Sequence, residues 1–379
     1  MYKKQIALYF AGFCAYASSS IVFPIIAPYA ILLGASKGEA GIIAGGFALV
    51  TSLTMIPLGI LADRFGRFRV IVLGMLLFII TPLFYAMASN FAELLLARFL
   101  HGLAMALFVP ASNALAIDLL PKKRGEALGW IATFTMLGYS TGPVMGGVIA
   151  SSYGYIPTFY FCGVVALAGF SPLILLRGRK ESGESLNFEL SLKPESWGAL
   201  VTPFFATFGS AVIGIFAIPL YLPKFGVDVT VVGILTTVLF LSSAIVRVPA
   251  GKISDSIGRR PVILLGLTLE ALGILMFLST DFPLITLGSI ITGVGMGLAN
   301  PAGFALLSDL LPPRMRGFAM GASSTSLQLG VFVGPAIMGF VAGAYDYSAV
   351  FILTSLITFL AVIAISFLTA NRNFKASQN

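Results

Sequence analysis

The sequence predicts an all-α polytopic membrane protein, twelve transmembrane helices arranged as two parallel-repeat six-helix bundles. Three observations predict it. The 379 residues are 58% hydrophobic and 10% charged, with a mean hydropathy of +0.99; an average soluble domain has about 25% charged residues, so this chain cannot cover a water-facing surface. Apolar runs long enough to cross a bilayer alternate with short polar breaks. The same short strings recur in the two halves of the chain, in the same order.

A helix needs about 20 residues to cross a hydrocarbon core of about 30 Å. On that ruler the first six spans fall near 5–33, 39–61, 70–88, 91–117, 126–151 and 157–176. The second six fall near 196–222, 229–250, 261–279, 282–308, 317–343 and 348–370. Two lysines precede the first run as in a signal peptide, but the run is too long for one and reads as a retained helix. Spans this long imply tilt or helix continuing past the bilayer. Pro24, Pro57, Pro110, Pro143, Pro249, Pro301 and Pro335 lie inside spans and imply kinks, tolerated where neighbouring helices satisfy the freed backbone groups. The longest polar stretch, 177–195, reads as a linker between bundles at 1–176 and 196–379.

Charge then orients the spans. Of the 23 Lys and Arg, 20 fall on the side of the N-terminus, Arg247 counted among them; Lys37 and Lys224 fall on the other side and Arg98 lies within a span. The positive-inside rule makes the rich side cytoplasmic, with both termini there and the protein in the cell membrane. The net charge of +8 is thereby a topology signal, and no nucleic-acid partner is implied. Cys14 and Cys162 sit in separate apolar runs as small packing residues, neither a metal pair nor a disulfide framework. No cofactor or metal is expected.

"GILADRFGRFRV" (59–70) and "GKISDSIGRRPV" (251–262) are 192 residues apart. "GPVMGG" from Gly142 and "GPAIMG" from Gly334 share that spacing, and "DLLPKKRGEALG" from Asp118 recurs as "DLLPPRMRGFAMG" from Asp309, 191 residues on. Each half is a copy of one six-helix unit running the same way through the membrane, which implies a two-fold axis along the membrane normal.

On these residues the chain resembles the major facilitator superfamily. Gly59, Leu61, Ala62, Asp63, Arg64, Gly66 and Arg67 match its motif A, with Phe68 where a basic residue is usual. "GYSTGPVMGG" (Gly138–Gly147) looks like motif C of the drug–proton antiporter branches, and "RFLHG" (Arg98–Gly102) resembles motif B with His101 in place of glutamine. The resemblance implies alternating access, a latch role for the Asp63 cassette and its repeat at Asp255 and Arg259, and a bend at Gly138, Gly142, Pro143 and Gly147 where the halves rock. In that role Asp63 faces helix N-termini and arginines of the other half. On physical grounds alone, Gly138, Gly142 and Gly146 at four-residue spacing let another helix approach closely. Loop anchoring by positive charge accounts for Arg69, Arg259 and Arg260, but not for an acid at both Asp63 and Asp255.

An ionisable group at membrane depth is a functional candidate. Arg98 and His101 lie about 10 and 15 Å from the outer end of span 4 at ~1.5 Å per residue, on one face. Glu270 lies mid-span in the ninth. His101 titrates near neutrality or serves as a packing donor; Glu270 carries a proton or hydrogen-bonds a neighbouring helix; Arg98 orients substrate or anchors a fixed network. Drug–proton antiporters of the resembling family often carry an acid in the first span, and 5–33 has none. Coupling therefore falls to His101, Glu270 or another group, with His101 the best placed by depth. Tyr16, Asn113, Asn300 and Gln328, among Phe23 and Phe216, are the uncharged pathway candidates, suited to an amphipathic solute.

The leading expectation is a secondary transporter, a proton-coupled exporter of small organic solutes or drugs. The alternative is a sugar or organic-acid symporter or uniporter. A non-transporting receptor or an intramembrane enzyme lacks support: no sensory domain is evident, and H-E-x-x-H needs two histidines where the chain has one. Without a G-x-x-x-x-G-K-[ST] string, ATP is not the expected energy source. The expected partners are a small-molecule substrate, protons and membrane lipids, and the chain is expected to act as a monomer.

Overall fold

The computed structural model describes residues 2–121, 123–176, 194–312 and 315–369, among which every regular element is helical. Most of the linker expected at 177–195 lies outside them. The first six membrane-length helices are α1 (Lys3–Leu32), α2 (Lys37–Phe65), α3 (Arg67–Met87), α4 (Phe91–Leu119), α5 (Arg124–Tyr153) and α6 (Tyr155–Leu176). The second six are α7 (Ser196–Phe225), α8 (Val229–Ile257), α9 (Arg259–Leu278), α10 (Phe282–Leu310), α11 (Arg316–Ala344) and α12 (Tyr347–Leu368). Eleven are both long and apolar enough to cross a membrane. The exception is α5, whose 30 residues suffice in length but are diluted by Gly, Ser and Thr.

α2 and α8 outrun the apolar spans read from sequence because each charged cassette continues its helix. They stop at Gly66 and Gly258, with φ of +101° and +96°, a conformation that glycine alone adopts without strain. α1 and α7, which open the two bundles, are the interrupted helices. α1 breaks at Val22, ahead of Pro24. α7 loosens into a π segment at Val212–Ala217 and tightens into a 3-10 turn at Leu222–Phe225, around Pro219 and Pro223. A proline ring removes one donor and crowds the carbonyl four residues back, so the regular ladder fails near it.

Glycine stripes set the packing inside each bundle. Gly138, Gly142 and Gly146 of α5 lie on the α1 backbone at Phe13, Ala17 and Ile21, and Gly330 and Gly334 of α11 lie on the α7 backbone at Phe204 and Phe208. Gly74 of α3 rests on Ala104 and Phe108 of α4; one repeat later Gly266 of α9 rests on Gly295 and Ala299 of α10. A Cβ at these places would run into a neighbouring backbone, so closeness of this kind depends on hydrogen as the side chain.

Two seams join the bundles. In one, Gly41 of α2 lies on Pro335 and Gly339 of α11; in the other, Gly233 of α8 lies on Pro143 and Gly147 of α5. Each residue of one seam is 192 residues from its counterpart in the other, so the two-fold relation read from the strings is present as geometry. At the end remote from the cassettes the seams are sealed. Lys37 Nζ donates to the Ala342 carbonyl at 2.8 Å, Ser151 Oγ to the Asp228 carboxylate at 2.7 Å, and the Val144 N–H to Thr237 Oγ1 at 3.0 Å.

Toward the cassettes the seams part. Tyr139 of α5 and Phe240 of α8 still touch, ring centroids 4.9 Å apart. Beyond them Gly125, Gly129 and Gly251 have nothing within 4 Å where a Cβ would stand. A groove of about 370 Å³ opens between α2, α7 and α11, lined by Ile56, Trp197, Phe204 and Leu329. The molecule is a cleft closed at one end and open at the end that carries the cassettes.

Candidate functional site

The charged cassettes form one three-membered network per bundle. Arg67 donates from Nη2 to Asp63 at 2.9 Å and from Nη1 to Asp118 at 2.6 Å. Arg259 pairs with Asp255 and donates from Nε to Asp309 at 3.1 Å, with Ser254 Oγ accepting at 2.8 Å. Asp63 therefore meets an arginine of its own bundle in this conformation; the cassette end is open, and the other bundle is out of its reach. Arg64 is exposed and Gly59 abuts Pro110. Asp118 and Asp309 escaped the sequence reading as partners, although their strings repeat alongside the cassettes. Arg259, read as a loop anchor, has specific acceptors.

Aromatic rings close the inner end of the cleft. Phe23 of α1 lies 5.2 Å from Tyr139 and 5.9 Å from Phe240, and Tyr16 meets Tyr139 edge-on at 6.1 Å. Arg247 stands seven residues beyond Phe240, two turns toward the cassettes on the same face of α8. The sequence reading counted Arg247 with the charges on the side of the N-terminus, although it lies within the span read at 229–250; α8 continues ten residues past it, to Ile257.

Arg98 and His101 turn away from the cleft. Arg98 is fully buried, donating from Nε to the Ile43 carbonyl at 2.8 Å, from Nη2 to Ala44 at 2.5 Å and from Nη1 to the Tyr85 hydroxyl at 3.4 Å. Its guanidinium stacks 4.5 Å over the Phe47 ring. Tyr85 lies 2.7 Å from His101 Nδ1, and Phe78 packs edge-on against the imidazole at 5.4 Å. Arginine can only donate, so Tyr85 accepts from it and has its hydroxyl hydrogen for the imidazole. The pair fastens α4 to α2 and α3 inside the first bundle.

Glu270 of α9 is buried in the second bundle. Its Oε1 accepts the Ser210 N–H of α7 at 2.9 Å, just before the π segment, and Oε2 has no partner among the described residues. Gly209 of α7 and Gly295 of α10 provide the room it occupies. No group of three or more metal-ligating side chains occurs among the described residues.

The sequence profile of the Major Facilitator Superfamily matches residues 8–224 and 199–379. The chain belongs to that superfamily. It is an integral membrane transporter, and its relatives are transporters rather than enzymes. It is 29% identical to an uncharacterized MFS-type transporter of Methanocaldococcus jannaschii, over 95% of this chain and 98% of that one. Multidrug resistance protein 2 of Bacillus subtilis is 26% identical over 86% of each chain. Among solved structures, a bacterial homologue of the human lysosomal transporter Spinster superposes with a TM-score of 0.84 at 18% identity, over 97% of this chain and 95% of that one; at that identity the likeness concerns the fold.

Within this major facilitator fold the remaining candidates are scattered. Asn113 is exposed on α4, Gln328 is buried on α11, and Phe216 is buried in the π segment. Asn300 is buried on α10 with neither side-chain polar atom partnered among the described residues. The motif C residues occupy two faces of α5: Gly138 and Gly142 contact α1, while Pro143 and Gly147 form the seam with α8.

Proposed function

We propose that this transporter works by alternating access in the cytoplasmic membrane, cassettes and termini on the cytoplasmic side, and exports small amphipathic organic solutes at the expense of a proton gradient. The observation that carries the reading is the pair of two-fold-related glycine seams, sealed at one end and parted at the other. The parted end holds most of the positive charge, so this conformation faces the cytoplasm. Export, rather than uptake, rests on the likeness to the multidrug resistance protein. Bundles at 1–176 and 196–379, joined by the linker, are the two rocking bodies; a single chain contains both, and a monomer suffices. When the cassette end closes, Asp63 and Arg64 come against the other bundle, and contacts made in one state alone are what bias the equilibrium.

Glu270 is the better placed proton carrier. It touches α7 at the edge of the π segment, and that segment packs against α1 and α2 of the other bundle. His101 is enclosed within its own bundle between Phe78 and Phe47. Purified protein in liposomes, loaded against an imposed pH gradient with ethidium as cargo, tests the reading. Wild type should concentrate ethidium, Glu270→Gln should exchange it without concentrating it, and His101→Gln should behave as wild type. Uphill transport by Glu270→Gln would refute the coupling role, and absence of gradient-driven ethidium movement in wild type would refute drug export.

A further inference from the structure

Arg247 has no hydrogen bond or ion pair with any described residue, and its Nε is buried without an acceptor. By contrast, Arg98 is held by carbonyls, Arg67 and Arg259 by carboxylates, and Arg260 donates from Nη2 to Ser366. A guanidinium at membrane depth is retained where it has a counter-group or lines a watery path. Phe240, two turns back on the same face of α8, packs on Tyr139, which meets Tyr16; both tyrosines are partly exposed at the inner end of the cleft, and neither hydroxyl is bonded to a described residue.

The repeat shows that the fold does not require this cation. The counterpart of Arg247, 192 residues earlier, is Met55, and the counterpart of Tyr139 is Val331; both are buried and apolar. The same architecture is thus built twice, once with a greasy wall and once with a cation beside two phenols. The acid of the second bundle, Glu270, is engaged with Ser210 on α7 and does not neutralise it.

We infer that the cleft carries, beside the path taken by ethidium, a subsite for organic anions: a carboxylate on an aromatic or similarly apolar body. The inference rests on the cleft being the transport path. The carboxylate receives two parallel N–H bonds from the Arg247 fork, the geometry that favours arginine over lysine. The Tyr16 and Tyr139 hydroxyls supply further donors, and the apolar body lies against Phe23 and Phe240.

Binding of naphthalene-2-carboxylate and of naphthalene-2-carboxamide to the full-length protein in nanodiscs, by isothermal titration at neutral pH, tests this. The two probes share shape and differ in charge. Wild type should bind the carboxylate at least about tenfold tighter, as expected when a charge-assisted pair is lost. Arg247→Met, which copies the first bundle, should keep its melting temperature and amide affinity and lose the preference; Arg247→Lys should retain part of it. Absence of a carboxylate preference in wild type, or its persistence in Arg247→Met, overturns the anion site. Gradient-driven ethidium transport is scored separately, so drug export and the anion site fail independently.

Discussion

Gly41 of α2 lies on Pro335 and Gly339, and 192 residues on Gly233 of α8 lies on Pro143 and Gly147. The polar groups buried within the two bundles show no such correspondence. Where the second bundle has Glu270, the first has Phe78; where the second has Arg247, the first has Met55. In the other direction, Arg98 and His101 of α4 map onto Ser289 and Thr292 of α10, 191 residues later. Both bundles need the seam and the cassette, because a rocking joint needs two equivalent walls. Chemistry at the cleft needs a group once, so the repeat is free to diverge there.

The comparison breaks most visibly if a seam is filled. Gly41→Leu and Gly233→Leu each drive a side chain into a facing carbonyl, and overpacking of this kind costs about 1–3 kcal/mol. Placed on the sealed state alone, that shifts the conformational equilibrium by about tenfold or more. Both variants should lower transport and raise cysteine labelling from outside to a similar degree. An effect confined to one of them would show that the seams are not equivalent.

The cassettes give the next largest effect. Arg67→Ala and Arg259→Ala each leave two carboxylates without their arginine, and hydrogen bonds to charged groups contribute about 1.5–3 kcal/mol. The loss of thermal stability in detergent should be the larger for Arg67→Ala, whose side chain is 13% exposed against 22% for Arg259; a larger loss for Arg259→Ala would show that the two networks do not play the same part.

The smallest effect is expected at Asp228, which caps α8 through the Thr230 N–H and receives Ser151 across the seam. Hydrogen bonds from Thr230 and then Ser151 hold its carboxyl below the usual aspartate range. Its contribution is therefore complete above that range and is lost as pH falls through the lowered value. Asp228→Ala should cost folding stability about 0.5–2 kcal/mol, the usual range for a lost N-cap, and, by removing the Ser151 bond across the seam, favour the open state and abolish this acid-dependent step. Outside-accessible labelling of Tyr153→Cys as a function of pH reads both.

Much of this was legible beforehand. Twelve spans, their order, the repeat and the cassettes follow from hydropathy and from strings at fixed spacing, which survive because the seam glycines and cassette charges act in both bundles. What escaped was direction around each helix. Three-residue spacing places Arg98 and His101 on one face, but nothing in the sequence says that this face meets Tyr85 and Ile43 rather than the cleft. Arg247 lies inside the span read at 229–250 but was tallied with the loop charges, because sign and nearness to the cassette alone sorted it. Asp118 and Asp309 repeat with the cassettes, and that shared spacing was the available sign that they close the same networks.

The central claim, that one rigid-body rocking opens one end as it closes the other, is tested most directly by paired distance measurements. Spin labels at Gly129→Cys and Gly251→Cys report the cassette end, where both positions face open space. Labels at Tyr153→Cys and Phe225→Cys, both exposed, report the sealed end. The native Cys14 and Cys162 are buried and stay unlabelled. Across a pH series, with and without ethidium, every gain in the short-distance population at the cassette end should be matched by an equal gain in the long-distance population at the other. Two ends that open together, or a cassette end that never closes, would contradict the account.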